Sequence, residues 1–155
     1  MKGNKKLIEQ LNARLAEELT AINQYMVHSE MCDGWGYGKL HKQIEKRAID
    51  EMKHAEKLIA RILYLEGIPV VSELGKMHIG AEVPKMHEND RASEEVAIKN
   101  YNNTIKLAAE VGDNGTRDLL TAILKEEEEH IDTLEAQLDQ IKQMGAQNYL
   151  TEQLG

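Results

Sequence analysis

The sequence predicts an all-α protein, a four-helix bundle with one long crossover and a short C-terminal helix. Three observations lead there. Two prolines, no phenylalanine and long runs of Leu, Ile, Ala, Glu, Lys and Gln favour helix over strand. Apolar residues recur at helical spacing in four stretches, and one of the three joints between those stretches is much longer than the other two. At 155 residues, 41 % hydrophobic and 30 % charged, the chain suits a single domain over 1–155 with a proper core.

The first helix is expected from near Asn4 to about Cys32, where DGWGYG (33–38) supplies glycines that end it and reverse the chain. The second runs from about Lys39 to Glu66 and is stopped by Gly67 and Pro69. The third begins at about Pro84, well placed in a first turn, and reaches Val111, where GDNG makes a turn. The fourth runs from Thr116 to about Met144, and QNYLTEQL forms the short terminal segment. The joint GIPVVSELGKMHIGAEV (67–83) can reach roughly 55 Å, against about 42 Å for a helix of 28 residues. It can therefore cross the whole bundle and make helices two and three parallel, while the short joints make antiparallel hairpins.

A net charge of -8 disfavours the phosphate backbone of nucleic acid as a partner, and Lys2, Lys5 and Lys6 are too sparse for a basic arm. Cys32 is alone, so no intrachain disulfide and no Cys-rich metal module can form. MKGNKKLIEQLNARL breaks into polar residues before any signal-peptide core, and no later stretch suits a bilayer, so the expected location is cytoplasmic with no membrane partner.

A shift of 76 positions lays Glu18 on Glu94, Tyr25 on Tyr101, Glu51 on Glu127 and His54 on His130. One Glu-x-x-His in a helical protein says little. Two copies, each 33 residues after another glutamate that itself precedes a tyrosine by seven, mark the two hairpins as chemically alike. Alternating steps of three and four trace the packing seams. They run Ile44, Ala48, Glu51, Ala55, Leu58 on helix two and Leu120, Leu124, Glu127, Ile131, Leu134 on helix four. Helix one gives Leu11, Leu15, Glu18, Ile22, Tyr25, and helix three Glu94, Ile98, Tyr101, Ile105. Each seam carries one glutamate at an otherwise apolar position.

Four buried carboxylates would each be costly and would repel one another, so something positive must sit between them. The seams supply no Lys or Arg there. Two divalent cations would cancel the four charges, and His54 and His130, three residues on and on the same faces, would add one imidazole per ion. The rest of the acidic run KEEEEH, namely Glu126, Glu128 and Glu129, reads as a solvated face. Tyr25 and Tyr101 read either as donors of a hydrogen bond or an electron to the metals or as core aromatics with satisfied hydroxyls.

Two lone glutamates and two Glu-x-x-His pairs on a four-helix bundle make up the ligand set of ferritin-like di-iron carboxylate proteins. In ELTAINQYMVHSEM (18–31), IDEMKHAE (49–56), RILYLEGIP (61–69), EEEEHIDTLE (126–135) and MGAQNYL (144–150) the chain resembles the bacterioferritins. The resemblance implies iron storage in a 24-subunit shell built from two-fold pairs, with Fe(II) oxidised by oxygen or hydrogen peroxide. It implies two iron ions per subunit, one held by Glu18 and His54, the other by Glu94 and His130, with Glu51 and Glu127 bridging. It also implies haem b, one per subunit pair, with Met52 at the ligand position, and a small ferredoxin as reductant for iron release. One departure stands out. Some members bind an extra iron on the inner surface through a His and an Asp, and here that pair is Lys46 and Asp50.

A second apolar stripe supports a subunit contact independently. Helix two carries Ile49, Met52, Ile59 and Leu63 where the shifted positions of helix four are Lys125, Glu128, Glu135 and Asp139. Leu19 and Met26 on helix one likewise face Glu95 and Asn102 on helix three in the alignment of the repeat. Two other functions fit less well. A di-iron peroxidase of the rubrerythrin kind needs paired cysteines for its iron-sulfur donor, and a non-catalytic haem-carrying helical assembly leaves the four glutamates unexplained.

Overall fold

A computed structural model describes residues 1–155 as five helices: α1 Lys5–Gly34, α2 Gly38–Tyr64, α3 Val83–Glu110, α4 Asn114–Met144 and α5 Ala146–Thr151. Asn4 caps α1 by accepting from the Leu7 amide at 3.0 Å, and Asp113 caps α4 by accepting from the Thr116 amide at 3.0 Å. Helix α2 stops at Tyr64, two residues before the expected Glu66, because Glu66 itself turns left-handed at φ 63°. Gly67 is needed for space instead: a Cβ there would stand 2.7 Å from Ile8 Cγ2.

Cross-helix contacts give the directions. Glu18 meets Tyr101 and Tyr25 meets Glu94, so α1 and α3 are antiparallel. Arg61 meets Thr116 and Gln43 meets Gln137, so α2 and α4 are antiparallel too. With two antiparallel hairpins, α2 and α3 must run parallel, and residues 65–82 span the bundle as expected. One face of α1 straps this irregular segment down. Asn12 accepts from the Val70 amide, Thr20 from Gly75, Gln24 from His78 and His28 from Gly80, at 2.8 to 3.0 Å. Backbone groups that lack a helical partner are thereby satisfied.

The interior falls into two apolar clusters. One is built around Leu7, Leu11, Leu15, Leu58, Ile62 and Leu120. The other is built around Tyr25, Cys32, Leu40, Ile44, Met86 and Tyr149, with α5 contributing the last. The four seam glutamates lie at the level between them. Thr104 on α3 and Ile123 on α4 are fully buried, whereas the expected neighbours Ile105 and Leu124 are only partly buried. The buried sets Tyr101, Thr104, Ala108 and Leu120, Ile123, Glu127 still step by three and four, in the opposite order from the expected seams. No helix is long and apolar enough to cross a membrane.

The outer stripe is real but narrower than expected. Met26, Ile49, Met52 and Leu63 are 48, 42, 45 and 57 % exposed. Leu19 and Ile59 instead pack partly against the subunit's own core, so a charge at Ile59 would disturb the bundle as well as any contact. Leu63 is the cleaner position for probing association.

Candidate metal centre

All four helices deliver one buried glutamate to the same level, and the Glu-x-x-His spacing on α2 and α4 brings each histidine to the same face one turn on. Glu18, Glu51, His54 and Glu127 form one group whose nearest ligand atoms all lie within 4.8 Å of one another. Glu51, Glu94, Glu127 and His130 form a second, so Glu51 and Glu127 are common to both. His54 Nδ1 is 2.9 Å from Glu127 and 3.6 Å from both Glu18 and Glu51. His130 Nδ1 is 3.0 Å from Glu51, 3.5 Å from Glu94 and 3.9 Å from Glu127.

Tyr25 and Tyr101 are both fully buried, and each donates its hydroxyl to a glutamate of the other hairpin. Tyr25 reaches Glu94 Oε1 at 2.5 Å and Tyr101 reaches Glu18 Oε1 at 2.6 Å. Burial, then the neighbouring carboxylate, pushes both phenols well above their ordinary pKa and keeps them as donors. Glu18 and Glu94 thus each have one oxygen fixed by the other hairpin and one free. The free oxygens, Glu18 Oε2 and Glu94 Oε2, are buried without a partner.

Ten buried side-chain nitrogen and oxygen atoms have no hydrogen-bond partner, and seven of them belong to these six residues. They are Glu18 Oε2, Glu51 Oε1, His54 Nδ1, Glu94 Oε2, both Glu127 oxygens and His130 Nδ1. Native interiors leave few such atoms, and a cluster of oxygens and imidazole nitrogens of this kind matches the donor set of Fe(II) or a similar divalent ion. The buried arginines do not serve the cluster, since Arg14 pairs with Glu17 and Arg47 with Asp90.

The electrostatics agree with a site built for cations. Burial, then repulsion from Glu18, raises Glu51 and Glu127 well above 4.5. Burial works against charge on His54, but the close carboxylates of Glu127 and Glu18 outweigh it and carry the imidazole to about 11. Burial also opposes charge on Glu94, yet the neighbouring Glu127 carboxyl and His130 imidazole, with the hydrogen bond from Tyr25, lower its pKa. In the metal-free protein, protons hold the places that cations would take.

Metal binding should therefore release protons. Groups whose folded pKa is raised contribute stability below their unfolded pKa and lose it as pH climbs, so Glu51 and Glu127 penalise the metal-free fold increasingly above the ordinary carboxylate range. The stabilisation by Co(II), read as the metal-induced shift in Tm, should grow between about pH 5 and 7.5. A pH-independent shift would place the metal elsewhere.

A cavity of about 440 Å³ opens between α1, α3 and the crossover, and Glu18, Glu51, Glu94 and Glu127 form its inner wall. At the opposite side, each histidine turns its outer nitrogen to another carboxylate. His130 Nε2 is 3.0 Å from Asp50 Oδ2, and His54 Nε2 bonds Glu126 Oε2. Glu126 is therefore not a purely solvated residue, as its place in an acidic run suggests. The shift of 76 that pairs the hairpins also lays Asp50 on Glu126, a signal in the sequence that would have singled it out. Lys46 Nζ sits 3.1 Å from the same Asp50 oxygen.

The ferritin-like domain family matches residues 8–144. A bacterioferritin of Rhodobacter capsulatus is 42 % identical over 149 residues, covering 96 % of this chain and 92 % of that one. Bacterioferritins of Streptomyces coelicolor and Brucella melitensis are 41 and 39 % identical, covering 97 and 96 % of this chain and 90 and 92 % of theirs.

Proposed function

This chain belongs to the ferritin-like family and, within it, to the bacterioferritins, and from that membership we propose that it stores iron by oxidising Fe(II) at the six-residue centre. The observation that carries this reading is the set of seven unpartnered donor atoms turned into one buried space. Fe(II) is the substrate. One ion is taken by Glu18 and His54, the other by Glu94 and His130, and Glu51 and Glu127 lie between the two positions.

The chain's own groups supply three things. The carboxylates favour the higher charge of Fe(III), which draws the reaction forward. Tyr25 and Tyr101 hold the terminal glutamates so that each presents one oxygen inward. The cavity beside α1 and α3 gives a small oxidant room to reach the ions. Two Fe(II) give up one electron each. Oxygen takes both with two protons to become hydrogen peroxide, or hydrogen peroxide takes them with two protons to become water.

The ferric product is stored inside a 24-subunit shell assembled from two-fold pairs in the cytoplasm, each subunit acting as one ferritin-like unit. Exposed Met26, Ile49, Met52 and Leu63 support pairing through the first hairpin, since the matching positions of the second are the polar Asn102, Lys125, Glu128 and Asp139. The Met52 thioether, 45 % exposed, fits a haem b shared by the pair, with Met26 and Ile49 as apolar walls. Bound there, a haem supplies one-electron transfer, which suits reductive iron release by a small ferredoxin.

Aerobic addition of Fe(II) to the purified protein tests the reading directly. A rapid oxidation phase should saturate at two irons per subunit, in a particle whose mass by light scattering matches the shell. Saturation at one iron, or slow oxidation without a break, would count against the centre.

A further inference from the structure

Neither Asp50 nor Glu126 is among the six ligands, yet each is hydrogen-bonded to the outer nitrogen of one site histidine. The contacts cross between the hairpins: Asp50 on α2 holds His130 on α4, and Glu126 on α4 holds His54 on α2. We propose that Asp50 and Glu126 are positioning residues, each fixing one imidazole with its proton on Nε2 and its Nδ1 lone pair turned into the centre. The proposal rests on the reading that metal ions occupy that centre.

A neutral imidazole has one N–H and one lone pair, and which nitrogen binds metal is set by what the other one meets. A carboxylate at Nε2 can only accept, so it keeps the proton there. It also blocks a half-turn of the ring, which would carry Nδ1 away from the glutamates. The inward nitrogens are in place for the role: His54 Nδ1 and His130 Nδ1 are buried and have no hydrogen-bond partner. Such outer carboxylates raise ligand basicity as well as fixing orientation.

The two braces are built differently. Asp50 has a short side chain, is 21 % exposed, and is held by Lys46 at 3.1 Å on the same oxygen that meets His130. Glu126 is longer and 47 % exposed, and Ala122 stands where the repeat would place a counterpart of Lys46. Asp50, committed to Lys46 and His130, serves the centre through the imidazole.

Co(II) titration of the metal-free assembled protein decides the matter, with calorimetry for affinity and d–d absorption for coordination. The parent should bind two ions per subunit. Asp50→Ala should weaken one of the two by about 10–100-fold and change its d–d bands, and Glu126→Ala should do the same to the other. Asp50→Asn and Glu126→Gln, which keep an oxygen acceptor, should recover part of the loss. The metal-free Tm should stay near the parent's in all four variants. Parental affinities in both alanine variants would overturn the proposal. So would a loss that tracks a lower metal-free Tm and is not recovered by the amides, since that describes packing. No Co(II) binding by the parent would overturn the reading of the centre itself, and this assignment with it.

Discussion

Glu127→Gln is expected to make the metal-free protein more stable and to leave it unresponsive to metal. Glu127 is fully buried, and neither of its oxygens has a partner that satisfies it. Burial and then the charges of Glu18 and Glu94 push its carboxyl well above 4.5, which means the fold works against ionising it. Glutamine keeps the shape, carries no charge, and offers an N–H to Glu94 in place of a shared proton. Relief of one buried, badly satisfied group should add ~1–3 kcal/mol to the metal-free fold. For a chain of this size that is a rise of several degrees in Tm. The same change removes a carboxylate common to both metal positions, so the rapid phase of Fe(II) oxidation and the Co(II)-induced rise in Tm should disappear together. Glu128→Ala, one residue along on the exposed face, should match the parent in both measurements. A Glu127→Gln protein that oxidised Fe(II) at the parental rate would sink the assignment of the centre.

Met52→Leu should abolish haem binding and spare Fe(II) oxidation. Met52 sits next to Glu51 in sequence but points out of the bundle, 45 % exposed against 2 % for Glu51. In an isologous pair a residue near the axis faces its own copy, so two thioethers can approach one point from opposite sides. Leucine conserves volume and apolarity but has no sulfur to offer iron. Reconstitution with haem should give one per pair in the parent and none in the variant, read from absorption spectra. Equal haem content with unaltered axial-ligand bands would remove Met52 from the role.

The glutamates stood out in the sequence because a charge on an apolar seam breaks a period that packing enforces. Glu51 between Ala48 and Ala55, or Glu127 between Leu120 and Leu134, has no bland explanation at that position. The crossover was legible from length alone, because distance along an extended chain decides what a joint can span. Glu126 was not legible in the same way. It lies on the edge of the seam, half in solvent, and a run of four glutamates hides which of them turns inward. The polar network at the crossover end was also invisible. Asp90 with His28, Arg47 and Gln24 joins residues from three helices, and no local pattern places them together. The slip from Leu124 to Ile123 and from Ile105 to Thr104 has a simpler cause, since a step of three and a step of four both return to the same helix face and either order suits a seam.

Both clusters of carboxylates and imidazoles at the centre draw on both hairpins, and the hydrogen bonds from tyrosines and outer carboxylates cross between them as well. Each hairpin is made of contacts near in sequence, which form early and fast, whereas bringing the two together closes the long loop of the crossover. Their docking faces carry carboxylates from opposite sides into one buried space in the last ångströms of approach. The electrostatic penalty of this protein therefore falls on the docking step and not on making the hairpins. Whatever neutralises those charges as they meet, proton or divalent ion, acts as a participant in folding before it acts in any chemistry.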